Sequence, residues 1–416
     1  MTVRATGSGD DYHSLLNLHH YMRLRRSLRG DAPARADTGS ITTLLANWPQ
    51  RLADQRLIRE SLAVLEPLND ALAYLYPVLF RNGPHLRGLF PDSLDAQRHR
   101  LAWSMRQLIE ALDQPEVIVP IFEELGRAHR KLGVRTVHYQ PFGNALIEAL
   151  QTYAGAAWRP EYSEAWSRAY RFMAEVMSRG AESDLSVPPY LTATVTDHWR
   201  RDRDLAILRV QPAQQYSYLA GQYATVGSPQ LPHTWRSYSM ANPPSDDGRL
   251  EFHVRATSGG RLSDLLVNRT TVGDVLWLGS ARGTMILDPE SSRKLLLVAG
   301  GTGLAPIRAL LETVSQRSAP PETWLFVGAR TADDLYDQVL LNSYANRYSW
   351  LRLVTALSEE VAHPHEYGTL VDVVQRYGDW AGHIAYLSGP PAMVAGLRTS
   401  LVDLGVDPAH IRYDPY

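Results

Sequence analysis

The 416-residue sequence contains no cysteine. This absence excludes disulfides, thiolate zinc sites, iron–sulfur clusters, thiolate-ligated haem and cysteine nucleophiles. Redox chemistry in this chain therefore requires an organic cofactor, or a metal held by histidine or carboxylate side chains. An excess of one charge is also lacking, because 42 Lys and Arg residues nearly balance 44 Asp and Glu residues. The net charge of -2 predicts no nucleic-acid partner.

Long hydrophobic runs are lacking as well. The longest apolar stretch, residues 295–307, is broken by three glycines and is too short to cross a bilayer. The first sixteen residues are polar and do not resemble a signal peptide. We therefore expect a cytoplasmic protein without membrane insertion. The ordinary globular composition and the length predict two to four folded domains.

Changes in sequence pattern divide the chain into four regions. Residues 1–52 contain Gly- and Asp-rich segments, which predict a flexible N-terminal extension. In residues 53–184 the apolar residues recur at helical spacing. Residues 187–290 contain short β-rich runs typical of an antiparallel barrel, and residues 291–416 alternate apolar strands with helices, as in a doubly wound parallel sheet. The predicted fold class is an all-α domain, then an antiparallel β-barrel, then an α/β domain.

Four motifs in the C-terminal half indicate nucleotide binding. Gly300–Pro306 (GGTGLAP) follows a buried strand and opens a helix, where backbone N–H groups can approach a pyrophosphate. Arg236–Ser239 (RSYS) follows a predicted strand and loop, and offers a guanidinium, an aromatic ring and hydroxyls to a flavin nucleotide. Gly259–Ser263 (GGRLS) offers a second phosphate-binding turn. Ser388–Pro391 (SGPP) lies at the carboxyl end of a strand, where open sheets bind ligands.

In this order the four motifs resemble the ferredoxin–NADP⁺ reductase superfamily, over about residues 188–416. The resemblance implies FAD on the barrel and NADH or NADPH on the α/β domain. Arg330 does not decide between NADPH and NADH. It could reach the 2′-phosphate of NADPH, or it could pair with Asp333 or Asp334, which would suit NADH. The implied FAD-binding residues are Tyr223, Arg236, Ser237, Tyr238, Ser239, Gly260 and Ser263, with Tyr416 covering the flavin face. The implied nucleotide-binding residues are Gly301, Thr302, Gly303, Leu304, Ala305, Pro306 and Gly389.

One histidine stands out in the helical region. His129 shares a helical face with apolar residues, a pattern that by itself is more typical of a core histidine than of a metal ligand. The context changes this interpretation. Phe90 ends a segment 39 residues earlier, and Gln97 and Leu101 follow on one side of a new helix. His99 points about 200° away from Gln97 and is therefore an unlikely competitor for the same site.

Together with Tyr76 and Tyr139, these residues resemble the globin domain of flavohaemoglobins, and a globin followed by a reductase is that family's architecture. The resemblance implies haem b with His129 as its iron ligand, and with Phe90 and Leu101 in the haem pocket. It also implies that Tyr76 and Gln97 hydrogen-bond O₂ on the distal side. Tyr139 is implied to orient His129.

Two positions depart from the family's pattern. The family's proximal glutamate aligns with Ala181, so Glu182, one residue later, is the candidate replacement for that catalytic carboxylate. The family's lysine before the proximal histidine is Ala128 here. A histidine without a carboxylate partner is less imidazolate-like, which weakens O–O chemistry.

The resemblance implies a nitric oxide dioxygenase that uses NAD(P)H and O₂ to convert NO to nitrate through FAD and haem. Two alternatives stay open at this point. The chain could be an NAD(P)H:acceptor flavin reductase whose helical domain is a docking module. It could also be a haem-based O₂ or NO sensor that its own reductase resets. No protein partner follows from the sequence.

Overall fold

The computed structural model describes residues 48–91, 93–183, 185 and 188–414. They form two compact units, which divide between Pro189 and Tyr190. Residues 1–47 of the predicted extension, and Tyr416, lie outside the described residues. Within the described part of the chain, no helix is both long enough and apolar enough to span a membrane.

The first unit is helical. Its helices are α1 (Arg51–Leu65), α2 (Leu68–Ala71), α3 (Leu75–Asn82), α4 (Asp95–Ala111), α5 (Pro115–Arg130), α6 (Tyr139–Ala154) and α7 (Pro160–Glu182). Proline begins both α5 and α7, at the first-turn position where its missing N–H costs no intrahelical hydrogen bond. The apolar faces of these helices meet in a common core, in which Trp166 is among the largest fully buried side chains.

An ion pair with a buried carboxylate joins helix α1 to helix α7. Arg168 donates to both carboxylate oxygens of Asp54, at 2.8 and 2.9 Å. The Trp48 indole also donates to Asp54, at 2.6 Å, and Trp48 is itself buried. The helical unit therefore begins at or before Trp48, earlier than the predicted boundary at residue 53, because the Asp54 carboxylate uses this indole as a partner.

Helices α5 and α7 approach each other to backbone contact. A Cβ atom at Gly126 would lie 1.9 Å from the Met177 carbonyl oxygen, and one at Gly180 would lie 2.0 Å from the Glu123 carbonyl oxygen. No residue with a side chain fits at such distances. The two contacts show that the helices run antiparallel, with residue 126 level with 177 and residue 123 level with 180.

The second unit starts with an antiparallel sheet. Its elements are β1 (Leu191–Arg200), β2 (Leu205–Pro212), β3 (Tyr223–Ser228), β4 (Leu231–Ser239), β5 (Leu250–Arg255), α8 (Arg261–Asp264) and β6 (Val275–Leu278). The strand order is β4-β3-β6-β1-β2-β5, and an isolated bridge between Met240 and Phe252 joins the two edges. The RSYS motif was expected to follow a strand. It does follow β3 and the turn after it, and it lies itself within β4, where its residues pair with β3.

A parallel sheet completes the second unit. Its elements are β7 (Leu295–Gly300), α9 (Leu304–Ser315), β8 (Thr323–Ala329), α10 (Gln338–Arg347), β9 (Leu351–Leu357), β10 (Glu366–Tyr367), α11 (Leu370–Tyr377), β11 (Ile384–Ser388), α12 (Pro391–Asp403) and β12 (Ile411–Arg412). The strand order is β10-β9-β8-β7-β11-β12. The chain winds outward from β7 and then returns to β11 on the other side of β7, so the winding reverses between these two strands. The predicted fold class is confirmed.

Candidate functional site

The loops after β7 and β11 meet at the point where the winding of the parallel sheet reverses. A Cβ atom at Gly303 would lie 2.3 Å from the Ser388 carbonyl oxygen. One at Gly389, whose φ is 151°, would lie 3.0 Å from the Gly300 Cα atom. The two loops therefore touch through their backbones, which only glycine permits. Open α/β sheets bind ligands at this switch point, beyond the carboxyl ends of the strands.

The turn before α9 has the properties that a pyrophosphate needs. Gly301 has φ 54°, and no atom lies within 4 Å of the place where its Cβ would be. This open space lies beside the N-terminus of α9, whose first backbone N–H groups favour an anion. The side chains of Leu304, Ala305 and Pro306 are buried, so these three predicted residues offer a ligand only their backbone. The site fits a nicotinamide nucleotide.

The predicted flavin residues lie on two neighbouring strands of the barrel. Tyr223 pairs directly with Ser239 across β3 and β4. Because side chains alternate along a strand, Tyr223, Ser237 and Ser239 share one face of the sheet, and Arg236 and Tyr238 share the other. Burial raises the pKa of Tyr238 despite the nearby Arg236 charge, so this phenol stays neutral at physiological pH.

Arg236 and Ser263, two of the predicted phosphate contacts, differ in whether their side chains are free to bind a phosphate. Arg236 is exposed, donates to the Trp235 carbonyl oxygen at 2.8 Å, and makes no ion pair with the described residues, which fits an anion contact. The Ser263 hydroxyl, in contrast, donates to the Gly260 carbonyl oxygen at 3.0 Å and accepts from the Thr257 N–H at 3.2 Å. Ser263 therefore holds this turn in shape, and the backbone around Gly260 is left to meet a phosphate.

The hydrogen bond that His129 makes leaves its second ring nitrogen available to a metal. Its Nδ1 lies 2.7 Å from the Leu125 carbonyl oxygen, one helical turn earlier. Because a carbonyl only accepts, Nδ1 carries the proton and Nε2 keeps its lone pair for a metal. Burial lowers the pKa of His129 and keeps the ring neutral, although the Leu125 hydrogen bond acts in the other direction. Within the described chain, no group of three or more His, Asp or Glu side chains converges on a metal position.

The structure does not bring Tyr139 or Glu182 to His129 by hydrogen bonds. Burial raises the pKa of Tyr139 to about 12, and its hydroxyl makes no hydrogen bond with the described residues. Glu182 is exposed at the last residue of α7. In the antiparallel register of α5 and α7 it is level with residue 121, about eight residues or ~12 Å along α5 from His129. The proposed replacement of the proximal glutamate by Glu182 is therefore wrong, because the helix register places this carboxylate elsewhere.

An aromatic cluster surrounds the predicted distal tyrosine. The rings of Tyr76 and Phe90 meet edge to face at a centroid distance of 5.6 Å, and Phe80 lies 5.5 Å from Phe90. Tyr76 is 4% exposed, and its hydroxyl has no hydrogen-bond partner among the described residues. Burial raises its pKa, although the nearby Arg100 and Arg98 charges act against this. Tyr76 is thus a protonated donor with an unused hydrogen.

The first turns of α4 orient the predicted distal amide. Arg100 donates to the Gln97 side-chain oxygen at 2.8 Å, which leaves the Gln97 amino group free to donate. Leu101, one turn further along the helix, packs against the core. His99 is exposed, and its ring contacts the Asp95 carbonyl oxygen. Arg100 was not among the predicted site residues, although its i, i+3 spacing from Gln97 on a predicted helix was available as a signal.

Three family models match this chain in succession. They are Globin at residues 74–177, Oxidoreductase FAD-binding domain at residues 192–286, and Oxidoreductase NAD-binding domain at residues 297–399. Together they cover the helical unit, the barrel and the parallel sheet in the same order as the structure.

Two curated relatives match different lengths of this chain. A flavohemoprotein of Bordetella parapertussis is 27% identical over 388 residues, covering 84% of this chain and 94% of the relative. The ferredoxin–NAD(P)(+) reductase component of the naphthalene 1,2-dioxygenase/salicylate 5-hydroxylase systems of a Ralstonia species is 34% identical over 225 residues. That match covers 54% of this chain and 68% of the relative.

Solved structures show the same two likenesses. A flavohemoglobin from Malassezia yamatoensis, with bound FAD and heme, has a TM-score of 0.69 at 19% identity and matches 86% of this chain and 97% of its own. This likeness concerns the fold alone. A cytochrome P450 reductase from Amycolatopsis has a TM-score of 0.52 at 31% identity, over 54% of this chain and 69% of its own.

Proposed function

Because this chain belongs to the flavohaemoglobin family, in which a globin domain is joined to FAD- and NAD-binding oxidoreductase domains, we propose that it is an NAD(P)H-dependent nitric oxide dioxygenase. In this reaction two NO and two O₂ accept the two electrons of one NAD(P)H, which yields two nitrate ions, NAD(P)⁺ and one proton. The chemistry supplied by the bound groups is hydride acceptance at FAD, and single-electron transfer and O₂ binding at haem.

The observation that carries this proposal is a pair of uncharged donors in the globin unit. The Tyr76 hydroxyl and the Gln97 amino group are both unused in the described structure, and Arg100 holds the Gln97 amide by its oxygen. Donors that are already oriented stabilise negative charge as it develops on an oxygen ligand, at no further cost of reorganisation. These two residues would therefore retain O₂ until NO reaches it.

The proximal side departs from the family's pattern. His129 hydrogen-bonds the Leu125 carbonyl oxygen, and no described carboxylate forms a hydrogen bond with its ring. A neutral imidazole donates less electron density to a metal than one paired with a carboxylate, so we expect weaker O–O cleavage chemistry than in relatives that have the carboxylate.

The test is NO consumption by the haem- and FAD-loaded chain with NAD(P)H and O₂. We expect one NAD(P)H consumed and two nitrate ions formed for every two NO. Tyr76→Phe should release O₂ about 10- to 100-fold faster, because a hydrogen bond to a charged oxygen is worth about 1.5–3 kcal/mol, and its NO consumption should fall. Tyr74→Phe is the matched control, since Tyr74 is 46% exposed and packs against Tyr153. NO consumption no faster than that of reduced globins without a reductase would refute the proposal.

A second candidate is an NAD(P)H:acceptor reductase that serves a separate electron acceptor. It is favoured by the higher identity of the reductase half, 34% against 27% for the flavohemoprotein. Rapid NAD(P)H-dependent reduction of ferricyanide or a ferredoxin by Tyr76→Phe and wild type alike, without nitrate formation by either, would support this candidate over the dioxygenase.

A further inference from the structure

A buried cluster of charged residues joins the barrel to the parallel-sheet domain within the second unit. Strand β5 of the barrel contributes Glu251 and His253, helix α9 contributes Arg308, and the segment before α10 contributes Tyr336 and Asp337. The side chains of Glu251, His253, Arg308 and Asp337 are exposed by 10% or less. We call these five residues the interdomain cluster.

Arg308 contacts carboxylates of both domains. Its Nη1 lies 2.7 Å from Glu251 Oε1 on the barrel and 3.1 Å from Asp337 Oδ2 on the parallel-sheet domain. Its Nε donates to Glu312 Oε1 at 3.2 Å, one turn along α9. His253 completes the cluster, with Nε2 at 3.1 Å from Glu251 Oε1 and Nδ1 at 3.0 Å from the Tyr336 hydroxyl oxygen.

The cluster is held more tightly than the surface pairs beside it. Burial alone would raise the pKa of Glu251, but the His253 hydrogen bond and the Arg308 charge outweigh it and hold this pKa at about 2. Arg209 also donates to Glu251, at 2.8 Å, but it lies on β2 of the same sheet and is 42% exposed. Arg201 reaches Asp337 at only 3.5 Å and is 53% exposed, so it is a weaker bridge.

The two elements that Arg308 connects lead to the two cofactor turns. Helix α9 begins at Leu304, directly after the Gly301–Gly303 turn, and Arg308 lies about 6 Å along its axis. Strand β5 ends at Arg255, from which the chain enters the turn at Gly260. A rigid link between α9 and β5 therefore sets the distance between the nicotinamide nucleotide turn and the flavin turn.

We propose that Arg308 is a positioning residue for hydride transfer, which sets the nucleotide-binding domain against the FAD-binding barrel through Glu251 and Asp337. Hydride transfer requires reacting atoms about 3–3.5 Å apart, and a displacement of about 1 Å costs on the order of 10²-fold in rate. The hydride and its electron pair leave the nicotinamide ring for the flavin ring, and Arg308 touches neither. This inference rests on the reductase half of the proposed function.

The experiment is anaerobic stopped-flow reduction of the flavin in the full-length, haem- and FAD-loaded protein, with NADH and with NADPH. Titration of the nucleotide separates the limiting rate of reduction from the nucleotide Kd. We expect Arg308→Met to lower the limiting rate about 10- to 100-fold, with FAD content retained and Kd changed less than threefold. Nucleotide deuterated at the transferred position should show a larger and more temperature-dependent isotope effect in this variant.

The matched control is Arg209→Met. It removes a cation from the same Glu251 carboxylate but breaks no contact between the domains, so its limiting rate should stay within twofold of wild type. Arg308→Lys keeps the charge without the planar fork and should give an intermediate rate. If Arg308→Met does not retain FAD, the same measurement is made on Arg308→Lys and Asp337→Asn. Both variants should have a lower limiting rate of flavin reduction than wild type.

Wild-type limiting rates in every Arg308 and Asp337 variant that binds FAD would overturn the inference. So would an equal loss in Arg209→Met, since the effect would then come from the barrel alone. A wild-type protein whose flavin neither nucleotide reduces would instead overturn the reductase function itself.

Discussion

One added methyl group at Gly303 tests whether the touching loops form the nicotinamide nucleotide site. In Gly303→Ala the new Cβ would lie 2.3 Å from the Ser388 carbonyl oxygen and 2.6 Å from the Gly389 nitrogen. Both neighbours are backbone atoms, which cannot rotate away as the end of a side chain can. The loops must therefore separate by about 1 Å to restore ordinary van der Waals contact.

The size of the effect follows from this overlap. Overpacking a tight site costs about 1–3 kcal/mol. If the loops must return to their present separation to bind the nucleotide, this cost appears as a loss of affinity of about 5- to 150-fold. The FAD and haem contents should stay at wild-type values, because the change lies in the turn before α9 and in the loop after β11.

The assay is steady-state ferricyanide reduction, which gives the KM for NADH and for NADPH, with absorbance spectra for both cofactors. Gly396→Ala is the matched control in the same domain. Its Cβ would lie 3.1 Å from a Val371 methyl carbon, which can move aside, so its KM should not change. A folded Gly303→Ala protein with wild-type KM values for both nucleotides would refute the assignment of this site.

Three further predictions concern the globin unit and the interdomain cluster. His129→Ala should bind FAD but show no Soret band unless imidazole is added, whereas the exposed His99→Ala should bind haem normally; full haem content in His129→Ala would show that another residue is the ligand. Arg100→Leu should speed O₂ release about 3- to 10-fold by freeing the Gln97 amide, and unchanged release kinetics would contradict its orienting role. Glu251 has a pKa of about 2 instead of 4.5, so its ionised form stabilises the fold above about pH 4.5 and this stabilisation disappears as the pH falls to 2. Urea unfolding should therefore show Glu251→Gln less stable than wild type by about 3 kcal/mol at pH 7, with the difference vanishing near pH 2; a difference independent of pH would disprove the shifted pKa.

Much of the fold was predictable because the patterns that encode it are local. Helical spacing of apolar residues predicted segments 96–112 and 116–132, and the structure has α4 and α5 at Asp95–Ala111 and Pro115–Arg130. The strands of the parallel sheet are short apolar runs between helices, so they were also recognisable. Strand β4 was not, because its side chains are half-buried or exposed and it contains no apolar run.

The local parts of the candidate site were predictable, and the parts that depend on packing between helices were not. The glycine-rich turn between a strand and a helix was recognisable in the sequence, because consecutive residues form it. The Leu125 carbonyl bond to His129 is also local, one helical turn away, and a helix at this position was expected. The predicted role of Glu182 was wrong because its distance from His129 depends on the register of α5 against α7. No residue spacing in the sequence reports this register.

The sequence by itself determined which chemistry this protein can carry. The lack of cysteine excludes thiolate chemistry. The four nucleotide motifs and the residues around His129 predict a flavin reductase and a haem site through their resemblance to known families. These signals were readable because each lies within a few residues of chain. Only the tertiary structure decided which residues that are distant in the sequence contact each other. The Gly126 and Gly180 contacts set the helix register that separates Glu182 from His129. Arg308 meets Glu251 only when α9 is laid against the barrel, since contacts between residues far apart in the chain depend on packing that local patterns do not encode.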